Sequence, residues 1–438
     1  TGNDLSSAGL VVENTVATSQ GFDLSNTCSE RDDGDNNADC NNDLENLIGP
    51  VGQANNIAGD DTPNDSHVNI FTVSQLGAAQ NDCDESGTGN NDAICSIVGT
   101  DTTNDIEGVT QFNGLTDADS AAQLNNATVS QTLDLLNNCD ESGDGINDPV
   151  NCEIGALDNE INSELSQINS ATGSALSDIS QNNQIDILQS IVATNDCDET
   201  GAGENIAICP IVGLDNEIDD GVTQNNAITA ADDATSISQD NGALIIQTMD
   251  VENDCDGSGT DNNAAICGSG DLDDQQISSV LDQSNTAEEL DFSELDQGNN
   301  AVLSQGLVVV NDCDSTDGNS VECANNANDN VNEIGGDLSD TITQDNDARL
   351  SSDAIGKQFN DLVIDQNVDL LNDCDETGQG FNDAECDNDS IRNLVGPTIT
   401  QTLFNEAGGE ASTATIFQSN GAPTGQNLQG TNDCDESG

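Results

Sequence analysis

One acidic segment bracketed by cysteines recurs along the chain and constrains its fold more than any other feature. It reads NDCDESGTGNNDAIC at residues 81–95, and close copies begin at Asn195, Asn253 and Asn372. Its first cysteine recurs every 55 to 61 residues. Internal repetition on this scale is typical of an elongated array of stacked units. We therefore expect one array over residues 1–438, with about seven repeats that begin near Cys28, Cys83, Cys139, Cys197, Cys255, Cys313 and Cys374, and a partial repeat at Cys434.

The charge of the chain limits its partners. Its 84 acidic and 4 basic residues give a formal net charge of −80. Such a polyanion repels nucleic acid and anionic lipid, and its self-repulsion has to be screened by salt or bound cations. No apolar run approaches the length of a membrane helix, so we expect no membrane insertion. Charge and hydropathy alone would also fit a disordered chain, but the cysteines and the alternation described below favour an ordered fold.

Seven pairs of cysteines, separated by 10 to 13 residues, bracket the acidic segments. Disulfides in an oxidising compartment explain them best, since zinc sites favour a Cys-x2-4-Cys spacing that is absent here. We expect a secreted, extracellular or cell-surface chain with one local bridge per repeat, each worth roughly 3 kcal/mol. Cys434 has no downstream partner in this chain. The expected pairs are Cys28–Cys40, Cys83–Cys95, Cys139–Cys152, Cys197–Cys209, Cys255–Cys267, Cys313–Cys323 and Cys374–Cys386.

Between the acidic segments, residues alternate with a period of two. In one repeat Gln239, Asn241, Ala243, Ile245 and Gln247 fall on one face, and the same phase recurs in the other repeats. This period indicates a strand rather than a helix. A shorter arm of the same kind, such as residues 222–228, precedes each long arm. An Ile-Val-Gly-type connector, clearest at residues 211–218, follows each cysteine segment.

The inward face of these strands mixes small aliphatic residues with Gln and Asn. A buried amide costs free energy unless it is hydrogen-bonded. Stacked identical repeats solve this problem, because each Gln meets the Gln of the next layer in an amide ladder. Aliphatic columns beside the ladders bury apolar surface at about 25 cal/mol per Å². The sequence therefore predicts an all-β, repetitive β-solenoid-like array with disulfide-clipped acidic loops. His67, the only histidine, falls at a ladder position and is expected to fill it.

The pattern Gln239-x-Asn241-x-Ala243-x-x-x-Gln247, with Gln224-x-Asn226 ahead of it, resembles the curlin repeat of bacterial curli fibre subunits. The resemblance covers the two Gln/Asn arms of each repeat and not the cysteine segment. It implies a stacked β-solenoid that is secreted and that assembles into extracellular amyloid-type fibres of a biofilm matrix.

The acidic segment resembles the first half of the calcium loop of EF-hands and thrombospondin type 3 repeats, since Asp82, Asp84 and Ser86 alternate ahead of Gly87. The twelfth-position Glu of an EF-hand is absent. An Asx-rich turn without an ion is the alternative. We expect calcium as the cofactor, held by Asp82, Asp84, Ser86, Asn91, Asp140, Ser142, Asn147, Asp196, Asp198, Thr200, Asn205, Asp254, Asp256, Ser258, Asn263, Asp312, Asp314, Asp373, Asp375, Thr377 and Asn382.

No nucleophile elbow, phosphate-binding loop or zinc signature is present, so we do not expect an enzyme. The sequence favours a structural protein that assembles head to tail with copies of itself into an extracellular filament. A monomeric calcium-dependent adhesin or surface-layer stalk is the alternative. The residues 432–438 and 1–4, read in succession, nearly reproduce residues 81–92. This match predicts either head-to-tail continuation between chains or a window cut from a longer repeat protein.

Overall fold

The architecture comes from a computed structural model, and its described part consists almost entirely of strands. The described residues are 11–30, 38–62, 65–87, 93–118, 120–143, 150–173, 178–201, 205–230, 234–259, 263–270, 275–277, 281–288, 292–316, 320–326, 331–335, 341–350, 355–377, 383–388, 392–407 and 415–437.

Twenty-six strands follow one another in these ranges. In chain order they are β1 (Val11–Glu30), β2 (Ala38–Ile48), β3 (Val51–Thr62), β4 (Asp65–Gly87), β5 (Ala93–Ile106), β6 (Val109–Ala118), β7 (Ser120–Gly143), β8 (Val150–Ile161), β9 (Leu165–Gly173), β10 (Asp178–Gly201), β11 (Asn205–Ile218), β12 (Val222–Ala230), β13 (Ala234–Gly259), β14 (Asn263–Gly270), β15 (Gln275–Ile277), β16 (Leu281–Glu288), β17 (Phe292–Thr316), β18 (Ser320–Asn326), β19 (Val331–Ile334), β20 (Thr341–Leu350), β21 (Ile355–Thr377), β22 (Asp383–Asn388), β23 (Arg392–Val395), β24 (Thr398–Ala407), β25 (Thr415–Gly421) and β26 (Thr424–Ser437).

The strands form three parallel sheets that wind around a common core, so the predicted all-β solenoid is confirmed. Each turn of the chain, here called a coil, adds one strand to each sheet in succession, and each repeat therefore advances by one strand layer. Sheet A holds the long arms β1, β4, β7, β10, β13, β17, β21 and the pair β25 and β26; sheet C holds the short arms β3, β6, β9, β12, β16, β20 and β24. Sheet B holds β2, β5, β8, β11, β14, β15, β18, β19, β22 and β23.

Sheet B is the element that the sequence pattern missed. The expected connector at residues 211–218 is the second half of β11, and it pairs in register with β8 and β15. Gly213 has a φ of 63° in the middle of this strand, and Ala156 has a φ of 56° at the same point of β8. This left-handed residue bends the strand. In the next coil two short strands, β14 and β15, pair with the two parts of β11.

Three columns of buried Gln confirm the predicted amide ladders. In the second Gln column of sheet A, Nε2 of Gln247 donates to Oε1 of Gln189 at 2.8 Å, and Gln305 donates to Gln247 at 2.8 Å. Each of these amides also donates to a backbone carbonyl of sheet B, as Gln247 does to the carbonyl of Asn216 at 2.8 Å. The rungs from Gln75 to Gln426 are thus bonded both along the stack and across the core.

The asparagines of sheets A and C form a second, interlocked network. Asn241 is completely buried; its Oδ1 accepts from Asn183 and Asn226, and its Nδ2 donates to Asn285 and Asn299 at 3.1 and 2.9 Å. The same zigzag continues between the two sheets through the other coils. Because each amide bonds to amides of its own and adjacent coils, the network fixes both the register of the strands and the distance between the sheets.

Aliphatic columns fill the space between the ladders. One column on sheet A runs Val73, Val129, Ile187, Ile245, Leu303 and Ile364, and the facing column of sheet B runs Ile106, Ile161, Ile218, Ile277 and Ile334. All of these side chains are buried. The core is thin and nearly free of aromatic residues, but it is continuous along the stack.

His67 interrupts the first Gln ladder, where the next coil has Gln123. Its side chain is 1 % exposed, and neither ring nitrogen has a hydrogen-bond partner. Burial lowers the pKa of His67 below its usual value, against the opposing effect of Asp65, the described charged group that acts on it. A base whose pKa is lowered by folding stabilises the fold above its unfolded pKa of about 6.5, and this stability is lost as the pH falls.

We expect the substitution His67→Gln to complete the ladder and raise the free energy of unfolding by roughly 1 to 2 kcal/mol at pH 7. Urea denaturation at pH 7.5 and pH 5 measures it. The carboxylates titrate alike in both proteins, so the difference between their free energies of unfolding reports on the imidazole alone. This difference should be larger at pH 5 than at pH 7.5. A wild-type chain that is the more stable at pH 5 would contradict the assignment.

Candidate functional site

The acidic segments contribute to the ends of the long strands of sheet A. In β4 the strand continues through residues 81–87, with Asn81, Cys83 and Glu85 inward and buried. The three intervening residues, Asp82, Asp84 and Ser86, therefore point outward. The expectation of a loop that curls around one ion is wrong for this stretch. An extended strand spreads alternate side chains along one face, about 6.6 to 6.8 Å apart.

Parallel in-register pairing converts these residues into columns, which we call the acidic ladder. Successive coils place equivalent residues about 4.8 Å apart. The first column is Asp82, Asn138, Asp196, Asp254, Asp312 and Asp373; the second is Asp84, Asp140, Asp198, Asp256, Asp314 and Asp375. Hydroxyl side chains continue beside them at Ser86, Ser142, Thr200, Ser258 and Thr377.

The structure thus brings together the aspartates and hydroxyls of the predicted calcium set, but between coils rather than within one. The predicted amide ligands are not part of this geometry. Asn91, Asn147 and Asn382 lie outside the described residues. Asn205 and Asn263 begin β11 and β14, and only their backbones are described.

Stacked carboxylates perturb one another. Partial burial, with the charges of Asp198, Asp254 and Asp314 in support, raises the pKa of Asp256 to about 7. Burial raises the pKa of Asp196, and burial together with the charge of Asp196 raises the pKa of Asp198. Ionisation of this face near neutral pH therefore costs stability, and a cation bound there would relieve the cost.

A second acidic group lies on sheet B, and the sequence pattern did not single it out. One carboxylate oxygen from each of Glu160, Glu217 and Asp219 lies within 4.8 Å of the other two. Burial, a hydrogen bond that protonated Glu217 donates to Asp219, and neighbouring charges, that of Asp219 foremost, raise the pKa of Glu217 to about 8. Burial also raises the pKa of Glu160. The next coil has Gln276 at this position of the column.

The predicted local bridges are present wherever both side chains are described. They are Cys28–Cys40, Cys83–Cys95, Cys139–Cys152, Cys197–Cys209, Cys255–Cys267 and Cys313–Cys323. Cys374 and Cys434 are disulfide-bonded too, although no cysteine follows Cys434 in the chain. Cys386 lies in β22, and its side chain is outside the described ones. The bridges indicate an oxidising environment.

None of the described segments is a helix of the length and hydropathy needed to cross a membrane. No family model matches the chain. Neither the curated proteins nor the solved structures contain a match to it.

The cluster around Glu217 predicts a pH-dependent stability. A carboxyl group whose pKa is raised by folding leaves full stability below its unfolded pKa of about 4.3, and this stability is lost as the pH rises through the folded value. Glu217→Gln, which copies Gln276 of the next coil, should therefore raise the melting temperature at pH 9 and leave it unchanged at pH 4. Thermal melts at the two pH values test this. An equal shift at both would exclude charge as the cause.

Proposed function

We propose that this protein is an extracellular structural protein, not an enzyme, that extends head to tail into a filament of a cell surface or biofilm matrix. The proposal rests on one observation. The first and last strands of sheet A carry the same inward residues at the two exposed edges of the stack. When Asn420 is aligned with Asn14, the same offset of 406 residues aligns Gln426 with Gln20, Asn432 with Asn26 and Cys434 with Cys28.

The polarity of the ladders supports this alignment. Gln366 donates to Gln305 of the preceding coil, and Gln426 donates to Gln366 at 2.7 Å. A following coil would therefore donate to Gln426, as Gln20 of a second copy would in this register. The backbone edge of β26 offers the matching row of strand hydrogen bonds.

The three sheets do not contribute equally to such a junction. Within the described residues, sheet A has eight layers, while sheets B and C have seven each. If β1 of one copy follows β26 of another, sheets B and C lack one layer at the joint. We therefore expect the junction to be weaker than any contact between coils of one chain. The net charge of −80 opposes side-by-side bundling and favours thin filaments.

Two charged substitutions test the junction. Asn420→Lys and Gln426→Lys together place ammonium groups in both ladders at the exposed edge. Negative-stain electron microscopy should show filaments for the wild-type chain and isolated short rods for the double variant, with unchanged far-UV circular dichroism. Ser419→Lys, which faces outward from β25, is the matched control and should keep the filaments. Rods from the wild-type chain under all salt conditions would instead support the monomeric stalk.

We also propose that calcium binds the acidic ladder between coils. Calcium takes oxygen ligands at 2.3 to 2.6 Å, so an ion midway between carboxylates about 4.8 Å apart meets this distance on both sides. Asp196 and Asp254 would hold it in one column, and Asp198 and Asp256 in the other. Such ions would tie successive coils together and offset the repulsion that raises the pKa of Asp256.

Calcium should raise the melting temperature at pH 8 more than sodium chloride of equal ionic strength, and much less at pH 4, where the raised pKa values of Asp254 and Asp256 keep these two carboxyl groups protonated. Asp256→Asn should reduce the calcium-dependent rise. Asp250→Asn is the matched control, because this residue of the same strand has Val192 and Val308 as its neighbours in the adjacent coils. Equal effects of the two variants, or no calcium effect beyond ionic strength, would refute binding at the ladder.

A further inference from the structure

The cysteine sulfurs form one continuous column rather than separate pairs. The Sγ atoms of Cys83, Cys95 and Cys139 all lie within 4.8 Å of one another, although Cys139 belongs to the next coil. The arrangement recurs for Cys139, Cys152 and Cys197, for Cys197, Cys209 and Cys255, and for Cys267, Cys313 and Cys323. All of these residues are buried. Cys95, Cys152, Cys209 and Cys267 of sheet B therefore each have two cysteines of sheet A within reach.

Two sulfur contacts also place the cysteines of sheet B between their own coil and the following coil. The Sγ of Cys95 lies 3.8 Å from the carbonyl oxygen of Asn138, the residue just before Cys139. The Sγ of Cys267 lies 3.5 Å from the carbonyl oxygen of Asp312, just before Cys313. The cysteines of sheet B thus lie toward the following coil as well as toward their own.

We propose that the column supports two disulfide registers that interconvert by thiol–disulfide exchange. In the local register each bridge joins the two cysteines of one coil, as the six bridges from Cys28–Cys40 to Cys313–Cys323 do. In the inter-coil register each cysteine of sheet B is bridged to the next coil. The inter-coil bridges are Cys95–Cys139, Cys152–Cys197, Cys209–Cys255 and Cys267–Cys313, and by register also Cys40–Cys83, Cys323–Cys374 and Cys386–Cys434.

The exchange is a chain of balanced steps. In a chain that lacks Cys197, the thiolate of Cys209 attacks the Sγ of Cys255, a new Cys209–Cys255 bond forms, and the electron pair of the broken Cys255–Cys267 bond leaves on Cys267. That thiolate then attacks Cys313 and releases Cys323. Each step consumes one thiolate and yields one, so no electrons are gained or lost until two thiolates meet at the end of the column. An external disulfide such as oxidised glutathione then accepts their two electrons.

Inter-coil bridges would stabilise the folded chain against unfolding more than local bridges do. A local bridge closes a loop with a sequence separation of 12 at Cys83–Cys95, whereas Cys95–Cys139 closes about 45 residues, and a longer loop restricts the unfolded chain more. Local bridges leave adjacent coils joined only by non-covalent contacts at this edge. Inter-coil bridges would link each coil covalently to the next along the whole array.

The number of cysteines makes the registers distinguishable by thiol counting. The chain has 15 cysteines, so seven bridges leave one thiol in either register. Removal of Cys197, the seventh in order, leaves six cysteines before it and eight after it. Both groups are even, and complete pairing then requires inter-coil bridges from Cys209 onward.

The experiment refolds the 438-residue chain carrying Cys197→Ser in a glutathione redox buffer and counts thiols of the denatured monomer with Ellman's reagent. The proposal predicts zero thiols per chain, against one for the wild type. It also predicts a Cys209–Cys255 cross-linked peptide in a non-reducing Glu-C digest. Two thiols per chain, with peptides joined only within coils, would overturn it.

Cys209→Ser is the matched control. It leaves seven cysteines on each side, so two thiols remain whichever register forms. If Cys197→Ser does not fold, Cys139→Ser replaces it, because the groups of four and ten cysteines are again even and the prediction is again zero thiols. None of these counts depends on filament formation, since they are made on the denatured monomer.

Discussion

Hydrogen bonds between buried amides hold this fold together. Most Gln and Asn side chains of the core bond to an amide side chain one coil away, and this arrangement satisfies them in a core that otherwise offers aliphatic groups and backbone. Gln247 alone bonds to Gln189, receives from Gln305 and donates to the carbonyl of Asn216. A slip of one residue would bring these amides to the outer face and leave apolar residues opposite them. The ladders therefore specify the register as well as stabilise the stack.

The same stacking that satisfies the amides also stacks the charges. An in-register parallel array places like residues about one strand spacing apart, so aspartates at one position of the repeat become a column of carboxylates. The chain has no basic residues at the matching positions. Lys357 of β21 contacts Glu294 at 3.6 Å and Asp296 at 3.8 Å on the partly exposed face of sheet A. Partial burial, together with this repulsion, raises the pKa of Asp256 to about 7.

Much of this architecture follows from the sequence because the alternation is long and its phase is constant. The run from Gln239 to Gln247 identifies a strand, its inward face and its ladder partners without further information. The sequence does not predict sheet B, because the segment 211–218 is short and bends at Gly213, which leaves no long alternation with a period of two. The D-x-D-x-S-G motif of the acidic segment predicts a local turn, whereas pairing with adjacent coils keeps Asp82 and Asp84 in a strand. The grouping of three sulfurs is likewise a property of adjacent coils, and no spacing along the chain encodes it.

The stability of the Asn241→Ala variant tests most directly whether the buried amides hold the fold together. Asn241 bonds to Asn183, Asn226, Asn285 and Asn299 in the buried network. Urea denaturation should show a loss of roughly 3 kcal/mol or more, since several buried amides lose a partner at once. Ser238→Ala, on the outer face of the same strand, should change stability by less than about 0.5 kcal/mol. Equal and small effects of the two substitutions would contradict a fold held by amide ladders.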